Sequence, residues 1–168
     1  MSFNYSFVSV EDKKRADALI KFLAYQDLGY PRFDEWREKV RWQIIQGDKK
    51  AILALSNGVI VGDGVYQRHK TLPGVIEVKN VRILPDFGLR GFARFVFRQI
   101  ELDALEMEAY GLIGDVREDQ VETRAALRNM GFREVAGLSL YDSSCLDVVI
   151  FKNLGANGSN SNIYSTTK

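Results

Sequence analysis

The stretch RILPDFGLRGFARFVFRQIE, residues 82–101, decides how the rest of the chain is read. It ends an apolar strand, spends Pro85, Gly88 and Gly91 on one short turn, and starts a strongly patterned helix at once. The first N–H groups of a helix lack partners within it, and the helix dipole favours negative charge there, so such a turn can hold an anion. Glycine suits the task because a Cβ would block close approach of the ligand. The sequence is neither a Walker loop, which needs Gly-Lys-Ser/Thr, nor a dinucleotide fingerprint, which needs G-x-G-x-x-G. Sharp strand-to-helix turns also use glycine where nothing binds, so the turn alone leaves both readings open.

Outward from the turn, Phe92, Phe95, Val96, Ile100 and Met107 form one stripe, with Arg94, Arg98, Glu101 and Asp103 facing away, which predicts an amphipathic helix α3 over 92–107. Upstream, residues 3–10 alternate as a strand, β1, and Ser9 precedes a helix α1 carrying Ala16, Leu19, Ile20 and Leu23 on one face. YPRF breaks the chain; Asp34 is the expected cap of a helix α2 over 34–46, which stops at Gly47. Residues 50–56 and 59–70 read as strands β2 and β3 joined by Asn57-Gly58, a strong hairpin signal, and TLPG links them to β4 at 75–84. Downstream come a buried strand β5 at 111–116, a helix α4 at 117–130 ending before Gly131, and a strand pair β6 at 132–141 and β7 at 145–154 around DSS. The expectation is one domain over 1–154 and a flexible polar tail over 155–168.

Charge is balanced, with a formal net charge of +1, which argues against a nucleic-acid or anionic-membrane partner, although Arg90, Arg94 and Arg98 could form a local basic patch. One cysteine and one histidine offer no metal-ligand spacing. Nowhere do about 18 apolar residues run together, and the N-terminal residues lack a signal-peptide pattern, so a cytoplasmic protein with no membrane partner is expected.

The order β1-α1-α2-β2-β3-β4-α3-β5-α4-β6-β7, an α/β arrangement with a mostly antiparallel central sheet of about seven strands and four main helices, resembles the GNAT superfamily of acyl-CoA N-acyltransferases over about residues 3 to 154. The family's coenzyme A (CoA) motif, Q/R-x-x-G-x-G/A, maps onto Gly88-Leu89-Arg90-Gly91-Phe92-Ala93, with Gly88 where Gln or Arg is usual. The resemblance implies that the backbone of this turn cradles the pyrophosphate of acetyl-CoA, that Arg90 supplies nearby charge, and that β4 near Ile83 bonds the pantetheine arm. A second signature, N-x-x-A-x-x-L-Y-x-x-x-G-F, falls on Gln120, Thr123, Ala126, Leu127 and Gly131-Phe132. Gln120 thereby joins the cofactor-binding set. Leu127 stands where family members carry the tyrosine that reprotonates the departing thiolate.

An N-acyltransferase must remove a proton from an ammonium, let the amine attack a thioester, and stabilise the oxyanion. The resemblance implies Glu77, on β4, as the base. By strand alternation Val75, Val81 and Ile83 share its face and would raise its pKa, while Lys79 on that face would lower it. His69 reads as a solvated loop residue, Cys145 as a small core residue, and Phe33, Trp36 and Trp42 as packing of α2 on the sheet; Tyr141 could replace the missing phenol. The acidic residues Glu101, Asp103, Glu106 and Glu108 read as a solvated face. Together these imply acetyl transfer from acetyl-CoA, without a metal, to a primary amine, whether of a small molecule, a lysine or a protein N-terminus, by a monomer or homodimer. The alternative is a degenerate domain that binds CoA or a protein or nucleic-acid partner without transfer.

Overall fold

A computed structural model describes residues 4–25, 31–88, 90–141 and 145–155. Leu89, the DSS connection and the tail from residue 156 onward lie outside the described residues. Among the described residues, seven strands form one sheet in the order β1-β2-β3-β4-β5-β7-β6. They are β1 (Tyr5–Ser9), β2 (Lys50–Ser56), β3 (Val59–Arg68), β4 (Val75–Ile83), β5 (Gly111–Arg117), β6 (Arg133–Leu138) and β7 (Asp147–Asn153). The helices are α1 (Lys13–Ala24), α2 (Phe33–Ile45), α3 (Phe92–Glu106) and α4 (Val121–Asn129), in the expected chain order. Every strand pair is antiparallel except β4 with β5.

Local chemistry explains most boundaries. Asp12 caps α1 by accepting from the Arg15 amide at 2.8 Å. The Asn57-Gly58 turn has φ of 51° and 79°, the paired left-handed geometry that a two-residue hairpin requires. α2 starts one residue before the expected cap: Arg32 takes a left-handed conformation at φ 57°, and Asp34 lies in the first turn, 3.1 Å from Arg37.

Two cores sandwich the sheet. On one face, called the front, α1 and α2 bury Leu19, Leu23, Phe33 and Val40 against Leu53 and Val65. On the back, α3 and α4 bury Val96, Ile100 and Leu127 against Ile52, Ile76 and Leu112. Trp42, expected in the packing of α2, is exposed, with Arg41 5.1 Å from its ring. The buried stripe of α3 also differs from expectation: Phe97 is buried and Phe95 is exposed.

The acidic face of α3 is not simply solvated. Glu101 is buried, receiving Lys152 Nζ of β7 at 2.6 Å and Arg98 at 3.1 Å, while Asp103 accepts the hydroxyl of Tyr66. Removing one member of a buried pair leaves the other charge without compensation. Glu101→Ala is expected to lower unfolding free energy in urea by roughly 2–3 kcal/mol, discounted because Lys152 keeps some water contact. Glu106→Ala, on the exposed side of α3, is expected to change it by less than about 0.5 kcal/mol.

Candidate active site

β4 and β5 pair at only three positions, Val75↔Gly111, Ile76↔Leu112 and Glu77↔Ile113. Beyond Glu77, β4 carries a bulge: Val78 opposes Tyr66 and Asn80 opposes Val65, leaving Lys79 between them without a partner on β3. A bulge bends its strand and increases the local twist. β4 leaves β5 while staying on β3, and β5 stays on β7 along its whole length. The sheet opens there into a cleft of about 440 Å³ walled by residues 78–83 of β4 and 114–116 of β5.

The bulge also exchanges faces. After Lys79, Val81 and Ile83 join Val78 in the back core, while Asn80 and Arg82 turn to the front, the Arg82 guanidinium lying 4.6 Å from the ring of Phe33. The expectation that Val81 and Ile83 share a face with Glu77 therefore fails, because uninterrupted alternation was assumed through the bulge.

The back of the cleft is apolar, formed by Val81, Ile83, Phe97, Val116, Leu127 and Met130. Through Ile83, Ala93, Ala126 and Met130 it continues into a second hollow of about 280 Å³ bordered by Gly88, Gly91 and Phe92. Gly91 holds φ at 82° as the residue before α3, and among the described residues no side chain caps that helix. A left-handed N-cap position favours glycine, and an end without a side-chain cap leaves its first-turn amides available to an anion. A phosphate at this end and an apolar arm along the back would fit the residues present. Gln120 lines the cleft at the start of α4. Arg90 lines neither hollow and lies 5.6 Å from the ring of Phe87.

The front is polar. Glu77 sits at the last paired rung but does not line the cleft; its carboxylate accepts from Lys79 at 2.8 Å and Gln67 at 2.7 Å. Burial alone would push that carboxyl up, but Lys79, Gln67 and His69 together hold it below its ordinary value. His69 pins its own turn, its Nδ1 accepting from the amides of Thr71 and Leu72. Four residues were not singled out from sequence for roles here. Asp63 is fully buried on β3 and accepts from Asn80 at 2.6 Å; Asn80 in turn accepts from Arg82 Nε at 2.8 Å. Asp115 lines the cleft from β5 and accepts from the hydroxyl of Tyr141 at 3.2 Å. The available signal was an acid inside an apolar strand, in VIVGDGVY and in GLIGDV, since a buried carboxylate must be compensated. Among the described residues, no three His, Cys, Asp or Glu side chains are grouped to hold a metal ion, and no helix is long and apolar enough to cross a membrane.

No protein-family model matches the sequence, and a search of curated proteins finds no significant match. Solved structures do match. A protein from Desulfovibrio desulfuricans described as a GNAT-family acetyltransferase superposes with a TM-score of 0.79 at 12% identity, over 90% of this chain and 100% of its own. A ribosomal-protein alanine N-acetyltransferase from Escherichia coli gives 0.70 at 14% identity, over 96% and 100%. A protein described as a streptothricin acetyltransferase from Bacillus anthracis, solved with acetyl-coenzyme A, gives 0.58 at 14% identity, over 63% and 62%. The chain has the GNAT fold.

Asp63 has a measurable consequence outside any reaction. Burial pushes its carboxyl up to about 7, opposed by the Asn80 hydrogen bond and the charge of Arg82. A folded-state pKa above the unfolded value means the native protein holds a proton that the unfolded chain has lost, so stability is full below the unfolded pKa and falls as pH rises through the folded one. Wild type is expected to lose a few kcal/mol of unfolding free energy between about pH 4 and pH 7 that Asp63→Asn does not lose, read from urea melts across that range.

Proposed function

We propose that the protein transfers an acetyl group from acetyl-CoA to a primary amine by direct attack. The observation that carries this reading is the parting of β4 from β5, which opens a cleft with an apolar back leading to the N-terminus of α3 and a polar front. In this reading Ile83 and the other exposed backbone of β4 receive the pantetheine arm, the turn from Gly88 to Ala93 holds the pyrophosphate, and Gln120 borders the arm from α4. A volume of about 440 Å³ lies within the ordinary range for small-molecule sites. The fold of the matched acetyltransferases, one solved with acetyl-coenzyme A, supports the same choice of donor.

The amine would approach from the front, where Phe33, Trp36 and Pro31 of the α2 side face Lys79, Asn80 and Asp115 across the cleft. The family resemblance implies Glu77 as the base; it stands at the last rung before the parting, but its carboxylate is held by Lys79 and Gln67 and does not line the cleft. The protein contributes orientation and a dry apolar channel for the donor.

Isothermal titration with acetyl-CoA and with CoA tests the reading. Wild type is expected to bind both. Gly91→Trp is expected to abolish binding while the circular dichroism spectrum stays native, because Gly91 borders the second hollow, where an indole would take the place of the ligand, and a Cβ there meets no protein atom although φ 82° is strained. Absence of binding by folded wild type would reject the proposal.

A further inference from the structure

Acetyl transfer needs one group to take a proton from the amine and another to give one to the leaving sulfur. Leu127 offers no hydroxyl, and Glu77 is tied to Lys79 and Gln67 away from the cleft lining. Asp115 is differently placed. It stands two residues beyond Ile113, the last β5 residue paired to β4, and so just inside the parting. Its strand neighbours Leu112 and Val116 belong to the back core, so alternation turns Asp115 to the front, where the amine would enter. Tyr141, beyond β6, lines the same cleft and donates its hydroxyl to Asp115.

We infer that Asp115 and Tyr141 are the proton-handling pair of this cleft, Asp115 as the base for the amine and Tyr141 as the acid for the departing thiolate. The inference rests on the reading of the protein as an acetyltransferase. The Asp115 carboxylate takes a proton from the ammonium, and the neutral amine forms an N–C bond to the thioester carbonyl carbon. As the C–S bond breaks, sulfur leaves with the electron pair and takes the phenolic proton of Tyr141. The phenolate recovers a proton from the protonated Asp115 through their hydrogen bond, and the second amine proton passes to solvent. The sum is amide, CoA thiol and one released proton.

The surroundings of Asp115 suit a base. Burial pushes its carboxyl up; Lys79 of β4 and the Tyr141 hydroxyl oppose the rise, while Asp147 of β7 and Glu77 of β4 add to it, leaving the value raised. A raised carboxyl is a stronger proton acceptor once ionised, so turnover is expected to grow as pH climbs through its pKa.

The test measures CoA binding by titration calorimetry and thiol release from acetyl-CoA with ethylamine, spermidine, glycinamide, a lysyl peptide and water as acceptors. Asp115→Asn and Tyr141→Phe keep the local shape and are expected to bind CoA as wild type does, yet to lose about 100-fold or more in kcat. Glu77→Gln is expected to lose less than either. An acceptor-independent arm follows the Asp115 carboxyl carbon by NMR: it should titrate above its ordinary value and move higher in Tyr141→Phe, which removes a donor to the ionised form. Failure of wild type to bind acetyl-CoA would reject the acetyltransferase reading itself. Asp115→Asn turning over like wild type, binding without thiol release to any acceptor, or an Asp115 titration indifferent to Tyr141→Phe would each overturn the pair.

Discussion

The parting of two parallel strands after three rungs governs the rest of this structure. A parallel pair that continued would bond residues 78–83 to β5 and close the sheet; the extra residue at Lys79 turns β4 away and leaves its edge facing a cleft. That edge carries backbone groups which a sheet would otherwise satisfy, and buried N–H and C=O groups require partners. A ligand with an extended amide-bearing arm meets that requirement, and the apolar surface from Val81 to Met130 gives it a dry wall.

The same bulge separates two kinds of environment. Val81 and Ile83 are turned into the core beneath α3, where the channel approaches Gly91 and the start of the helix. Asn80 and Arg82 are turned toward α2, beside Asp63, and the opposite wall supplies Asp115. Acids on this front are compensated unequally. Glu77 meets a lysine and an amide and is held low, while Asp63 and Asp115 are raised by burial.

Much of the fold was legible because its boundaries are written in local chemistry. Asn57-Gly58 specifies a hairpin, the glycines at 47 and 131 follow helix ends with positive φ, and the turn at Gly88 to Gly91 marks the passage from β4 to α3. Of the residues that the resemblance implies for the donor, Ile83, Gly88, Gly91, Phe92, Ala93 and Gln120 border the two connected hollows and Arg90 does not. Features that depend on distant partners were not legible. Nothing local in VIEVKNVRI announces that Lys79 will be skipped by β3, so the faces of Val81 and Ile83 were misassigned. Glu101 reads as surface until β7 brings Lys152 to it, and Phe97, not Phe95, is buried, its ring 5.2 Å from that of Phe132.

Amide hydrogen exchange with and without saturating acetyl-CoA tests the central claim most directly. If the parted strands form the donor site, amides in residues 78–83 and at the start of α3 should gain protection, while those of the β1–β2 pair should exchange as before. Unchanged exchange at both the β4 edge and the α3 N-terminus, or protection confined to another part of the chain, would contradict it.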